Sequence, residues 1–153
     1  MTDVVSPEVR SRMMAGIKGK NTAPELFVRR TLHRQGFRYR VHDRNLAGRP
    51  DIVLKKHQAV IFVHGCFWHG HECHIFKWPK TRKEFWQQKI SKNNANDIRN
   101  ISNLRRNGWR VAVIWECALL GDELSVKTAM VKLSNWIAGE SMEIELTASS
   151  RNE

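Results

Sequence analysis

Asp51-Ile-Val-Leu-Lys-Lys-His-Gln-Ala-Val-Ile-Phe-Val-His64 is the stretch on which the architecture turns. Its two apolar runs, Asp51 to Leu54 and Ala59 to Val63, are short and β-branched. The four polar residues between them make a tight connection, so both runs read as adjacent buried strands. Gly48-Arg49-Pro50 turns into the first run from another strand-like piece, Phe37 to Val41. Upstream, Thr22-Ala-Pro-Glu25 has the form of a capping box with proline in the first turn, and Leu26, Leu32 and Phe37 bracket a helix ending near Gly36. Downstream, residues 64–80 are rich in His, Cys, Gly and Trp without a steady period, and read as an irregular loop. Thr81-Arg-Lys-Glu84 repeats the capping-box form. It opens a long amphipathic helix with Trp86, Ile90, Ile98, Ile101 and Leu104 on one side, stopped by Gly108. Trp109 to Glu116 follows as a strand and Ser125 to Ala138 as a last helix. The order helix, three strands, helix, strand, helix predicts an α/β fold with a mixed central sheet flanked by helices. Residues 1–20 read as a basic N-terminal arm, 21–139 as one domain, and 140–153 as a patternless, flexible C-terminal tail.

The chain has 153 residues, enough to bury a core without disulfides. Twenty-six Lys and Arg against fifteen Asp and Glu leave a net charge of +11, which asks for a polyanionic partner. Nucleic acid comes first and an anionic membrane surface second. No run of about 18 apolar residues is present, so nothing is expected to span a bilayer. Met1 to Pro7 lacks the apolar core of a signal peptide, which points to a cytoplasmic protein.

Asp51 opens a strand that is otherwise apolar. A carboxylate there either caps a turn or serves as a hard oxygen ligand for magnesium on a rigid element. The three cysteines cannot all pair with one another, and Cys66, Cys73 and Cys117 together with one of His69, His71 or His74 suit a closed structural zinc site. Spacing does not choose among the histidines. Two of the thiols lie in the irregular loop and the third follows a distant strand, so the metal would staple loop to sheet. Six tryptophans against one tyrosine are unusual in a small basic chain. Phe67 and Trp68 on such a stiffened loop, with Trp86 opening the next helix, offer rings able to unstack base pairs. Core filling competes with that role, most of all for Trp86. Arg10, Arg12, Lys18 and Lys20 in the arm, and Lys77, Lys80, Arg82 and Lys83 around the second helix start, are candidate phosphate contacts that position without reading sequence.

In the broad superfamily of restriction-type nucleases, Pro-Asp is followed on the next strand by acid, any residue, Lys. Here Phe62, Val63 and His64 hold those places, so the second acid and the lysine are missing. The departure itself resembles the very short patch repair endonucleases. Gly48-Arg-Pro-Asp51, Phe62, His64-Gly-Cys-Phe-Trp-His69, His71, Cys73 and Trp115-Glu-Cys117 match that family's motifs in order and spacing, within a likeness running from about Arg10 to about Gly139. The resemblance implies a restriction-endonuclease-like fold. It makes Asp51 the principal magnesium ligand with the Val63 carbonyl beside it, His69 the group that activates water, His64 an aid at the phosphate, and Glu25 an accessory acid. For Glu25 the alternative is a purely capping role. Some family members carry threonine where this chain has Val63; a carbonyl ligand survives that change, a hydroxyl does not. The resemblance chooses His71 to join Cys66, Cys73 and Cys117 around zinc, and assigns Phe67, Trp68 and Trp86 to intercalation.

The activity so implied is nicking of duplex DNA next to a T:G mismatch left by deamination of 5-methylcytosine, with a 5′-phosphate product that starts very short patch repair. A monomer on DNA is expected, with functional coupling to a cytosine methyltransferase and to mismatch-repair proteins. Two other readings use the same residues: a restriction-type endonuclease acting on intact duplex, and a non-catalytic zinc-stabilised DNA-binding module.

Overall fold

A computed structural model describes residues 21–148. In chain order these form α1 (Ala23–Arg34), β1 (Arg40–Val41), β2 (Ile52–Leu54), β3 (Ala59–His64), α2 (Lys83–Arg106), β4 (Arg110–Trp115), α3 (Glu123–Ala138) and β5 (Glu143–Leu146). The strands make one sheet in the order β1-β2-β3-β4-β5. The β1–β2 and β2–β3 pairs are antiparallel, and the β3–β4 and β4–β5 pairs are parallel. The expected mixed sheet flanked by helices is what forms.

Strand alternation divides the core in two. Ile52, Leu54, Ala59, Ile61, Ala112 and Ile114 face α1 and α3, meeting Val28, Leu32, Met130, Leu133 and Ile137. Val53, Val60, Phe62, Val111, Val113 and Trp115 face the other way, onto Leu104 of α2 and onto Cys66 and Cys117. β3 and β4 carry no exposed position, as strands covered on both faces should.

Several local expectations are corrected. Within the stretch expected to be a patternless tail, Glu143–Leu146 is the fifth strand, paired with Val111 to Ile114, and Leu146 joins the core. Its Glu-Ile-Glu-Leu alternation is too short and too acidic to stand out without a partner strand. The box at Thr81 does not form; α2 begins at Lys83 behind a left-handed Arg82 with no side-chain cap. Ile98 is 68% exposed. The inward stripe of α2 contains Ile90, Ile101 and Leu104, and stepping by three and four from Ile90 reaches position 97 rather than 98. The last helix starts two residues early, at Glu123, because Asp122 caps it by accepting from the Ser125 N–H. The first strand shrinks to Arg40–Val41. Arg10, Arg12, Lys18 and Lys20 lie outside the described residues.

Arg110, first residue of β4, ties the sheet to its surroundings. It is 8% exposed, and its guanidinium donates to the carbonyls of Ser141, His57, Ile137 and Trp136 while lying 4.4 Å from the centre of the Trp136 ring. Two of those carbonyls belong to the last turn of α3, where helical partners run out. Arg110→Leu keeps the bulk but strands four acceptors. It is expected to lower unfolding free energy by about 3 kcal/mol in a urea titration, against less than about 1 kcal/mol for Arg105→Leu on the exposed face of α2.

Candidate active site and metal cluster

β2 and β3 end at a cleft of about 890 Å³ lined by Glu25, His42, Asp51, Val63, His64, Phe67, Trp68, His69, Asn93 and Asp97 among others. Pairing of Ile52 with Ile61 sets Asp51 beside the end of β3, and the Val63 N–H donates to Asp51 Oδ2 at 2.7 Å. Glu25 arrives from the first turn of α1. The Thr22 hydroxyl accepts from the Glu25 N–H at 3.3 Å, so half of the capping box forms. The other half does not: the Glu25 carboxylate is 2% exposed and turns to Arg29 and to His42 Nε2, the latter at 2.7 Å. A purely capping role for Glu25 is thereby overturned. Ligand atoms of Glu25, His42 and Asp51 all lie within 4.8 Å of one another.

Burial pushes the Asp51 carboxyl up to about 7, reinforced by the neighbouring Glu25 and opposed by the Val63 N–H. Two carboxylates crowded in a half-buried cleft are a site that a divalent cation would relieve, and the donor set fits one. His64 is driven the opposite way, down to about 3, first by burial and then by His69. It is neutral at physiological pH. Its Nδ1 is buried and finds no hydrogen-bond partner among the described residues, and its ring stacks on His69 with centroids 3.9 Å apart.

His69 Nδ1 is bound to Asp97 Oδ2. That pairing fixes the imidazole and leaves Nε2 as the nitrogen for work in the cleft. Asp97 and His42 were both missed from sequence. Asp97 carried a signal, as a carboxylate on the otherwise apolar stripe that includes Ile90, Ile101 and Leu104. His42 carried none: it stands just past a two-residue strand with φ at 51°, and only folding brings it to Glu25.

The second cluster is made of residues other than those lining the cleft. Cys66, His71, Cys73 and Cys117 present three sulfurs and an imidazole nitrogen within 4.8 Å of one another, which fits a tetrahedral metal ion. His71 Nδ1 is 3.6 Å from Cys117 Sγ, and its ring stacks on Trp115 at 4.0 Å. His69 is directed elsewhere, to Asp97. Gly70, between the two histidines, has φ at 60°, and a Cβ there would meet Ile90 at 2.4 Å, so this turn of the loop requires glycine.

Phe67, Trp68 and Trp86 come together as a half-buried aromatic group, with centroid separations of 5.1 Å for Phe67–Trp68 and for Phe67–Trp86, and 5.6 Å for Trp68–Trp86. They stand apart from both hydrophobic cores. The Asn93 side chain holds the loop by donating to the Trp68 carbonyl at 2.8 Å. Lys77, Lys80, Arg82 and Lys83 are all exposed nearby in sequence, with Arg82 lying over Phe85. Among the described residues no helix is long and apolar enough to cross a membrane.

A positively charged chain with a buried carboxylate and an oriented imidazole facing one cleft has the equipment of a phosphodiester hydrolase, and similarity to known proteins agrees with that class. Over 119 residues the chain is 50% identical to a Type II nicking enzyme, V.XorIIP, of Xanthomonas oryzae pv. oryzae, covering 78% of this chain and 88% of the relative. It is 48% identical to the Type II nicking enzyme V.NmeAIP of Neisseria meningitidis, covering 78% and 85%. It is 46% identical over 147 residues to the DNA mismatch endonuclease Vsr of Escherichia coli K12, covering 95% and 94%. The family model for DNA mismatch endonuclease Vsr matches residues 2–75. The chain belongs to the Vsr family of DNA mismatch endonucleases.

The raised Asp51 carboxyl has a consequence for stability. A carboxyl that holds its proton more tightly folded than unfolded stabilises the fold below its unfolded value of 3.8 and loses that contribution as pH rises through about 7. In chelator-treated protein, Asp51→Asn should melt with the wild type at about pH 4 and several degrees above it at about pH 8. A constant difference across that range would show that Asp51 ionises normally.

Proposed function

We propose that this chain nicks one strand of duplex DNA beside a T:G mismatch, leaving a 5′-phosphate, and that it does so on a restriction-endonuclease-like scaffold with magnesium at Asp51 and zinc at the cysteine cluster. The observation that carries the reading is that two units line one cleft: the carboxylate group of Asp51 and Glu25, and the His69–Asp97 pair. Family membership supplies the substrate class, and the name of the Escherichia coli relative specifies a mismatch.

Asp51, with the Val63 carbonyl beside it, would hold magnesium, which would supply charge neutralisation at the scissile phosphate. The chain's own groups do the rest. His69 Nε2 accepts a proton from the attacking water, and Asp97 keeps the ring in the tautomer that makes this possible and offsets the charge it acquires. His64, held neutral, serves as a hydrogen-bonding partner and as a stacking wall for His69, not as a cation. Glu25 is tied to the cleft through His42 and Arg29 and fixes the negative potential that attracts the metal. Valine at position 63 leaves its carbonyl available and contributes no hydroxyl.

Phe67, Trp68 and Trp86 act as the wedge. Unstacking costs a few kcal/mol per base step and less where a mismatch already stacks poorly. That difference favours entry at a mismatch. The cysteine cluster keeps the loop stiff enough to transmit it. Lys77, Lys80, Arg82 and Lys83 hold phosphates without sequence preference, and the reaction takes place in the cytoplasm, on chromosomal DNA.

Three measurements test this together. With magnesium, a duplex carrying one T:G pair should be nicked on one strand while the fully paired duplex of the same sequence stays intact. Equal cutting would point to a restriction-type enzyme, and binding without cutting to a decayed module. His69→Ala should lower the nicking rate by at least about 100-fold with little change in DNA affinity, and Asp97→Asn by about 10-fold or more. Because the metal competes with the Asp51 proton, apparent magnesium affinity should rise about tenfold per pH unit below about 7 and flatten above it.

A further inference from the structure

The end of β5 reaches the cysteine cluster. Thr147 Oγ1 is 3.3 Å from Cys117 Sγ and 3.2 Å from His71 Nε2. The next residue, Ala148, donates its backbone N–H to Cys117 Sγ at 3.3 Å. These contacts come from the residues that directly follow β5, which pairs with β4, and they touch Cys117, which the cluster draws from outside the 66–73 segment, and His71 within that segment.

We propose that Thr147 and the Ala148 N–H form the outer shell of the metal site, orienting His71 and holding Cys117 so that the ion is retained, and that the bound metal in turn docks the end of β5. The inference rests on the reading of Cys66, His71, Cys73 and Cys117 as a zinc site. Donor and acceptor roles follow from the chemistry. His71 presents Nδ1 toward Cys117 Sγ, at 3.6 Å, so Nδ1 is its metal-facing atom. Nε2 then carries the proton and donates to Thr147 Oγ1, and the hydroxyl hydrogen is directed to Cys117 Sγ. That sulfur receives two hydrogen bonds, which spread its charge and fix its position. A metal-bound imidazole whose far nitrogen is anchored in this way is held in one tautomer and one ring orientation, and outer partners of this kind are worth about 10- to 100-fold in metal affinity. Thr147 is exposed and contributes little to the core, so its substitution separates the role at the metal from a role in folding. It is a positioning residue and does not touch the reacting phosphate.

The test uses the full zinc-loaded chain and its cobalt-substituted form, without DNA. Zinc per chain is measured after denaturation with a metallochromic dye, zinc release is followed in excess chelator, and the cobalt absorption bands are recorded. Wild type should carry one zinc at the cluster, lost in Cys66→Ser. Thr147→Val keeps the branched shape and removes the hydroxyl; it should release zinc about tenfold faster or more and shift the cobalt bands, while Thr147→Ser restores both. One zinc per chain, with release and bands in Thr147→Val equal to wild type, would overturn the outer shell and leave the zinc site standing. Faster release with unmoved bands would assign Thr147 to strand docking alone and also overturn it. Wild-type protein with no zinc would overturn the reading of the cluster itself.

Discussion

The parallel pairing of β3 with β4 is the constraint on which everything functional depends. Its register runs unbroken from Ala59 opposite Arg110 to His64 opposite Trp115. Both strands therefore end level, and residues two positions beyond each end, Cys66 and Cys117, become neighbours. Parallel strands cannot be joined by a tight turn, so the chain between them must travel. It uses that excursion to build the loop carrying Phe67, Trp68, His69 and His71, and then α2. One slip of register would turn His64 and Phe62 to the opposite face and separate the two cysteines. A hydrogen-bond ladder deep in the core thus sets the geometry of two sites at the surface.

The two sites share a boundary and divide the labour of the same loop. Cys66, His71 and Cys73 anchor its ends, while His69 in the middle turns toward Asp97 and the cleft. Gly70 permits the division, since only a residue without Cβ tolerates both the left-handed backbone and the methyl of Ile90 against it. Trp115 lies between, stacked on His71 and edge-on to both His64 and His69. Its indole N–H is satisfied by Glu145 of β5 at 3.1 Å. Aromatic packing couples the positions of the His64 and His69 imidazoles to the cysteine cluster.

What could be read from the sequence was what is encoded locally or by chemistry too costly to be accidental. The apolar runs around Lys55–Gln58 announce buried strands, Thr22 and Pro24 announce a helix start, and three cysteines on two motifs announce a cluster that could hold a metal. Sequence resemblance then chose His71 over its neighbours, and the structure places it with the cysteines. What escaped depends on partners far away in the chain. His42 has meaning only once Glu25 arrives from α1. Glu143–Leu146 is a strand only because β4 offers an unpaired edge. Thr81 had the right spacing to Glu84 for a cap, but the chain leaving the loop enters α2 through a left-handed Arg82 and bypasses it. Asp97 lay between these cases, since a carboxylate on an inward stripe is a visible anomaly whose purpose only the fold explains.

Helix α2 carries Trp86 near its start, Asn93 in its second third, Asp97 in the same stretch and Leu104 at its anchored end. Eleven residues separate Trp86 from Asp97, a rise of about 16 Å along a straight α-helix. Because Ile90, Ile101 and Leu104 fasten this helix, that spacing behaves as a ruler built into the protein. The aromatic group that includes Trp86 and the His69–Asp97 pair are therefore held at a separation set by the protein itself, whatever lies in the cleft between them.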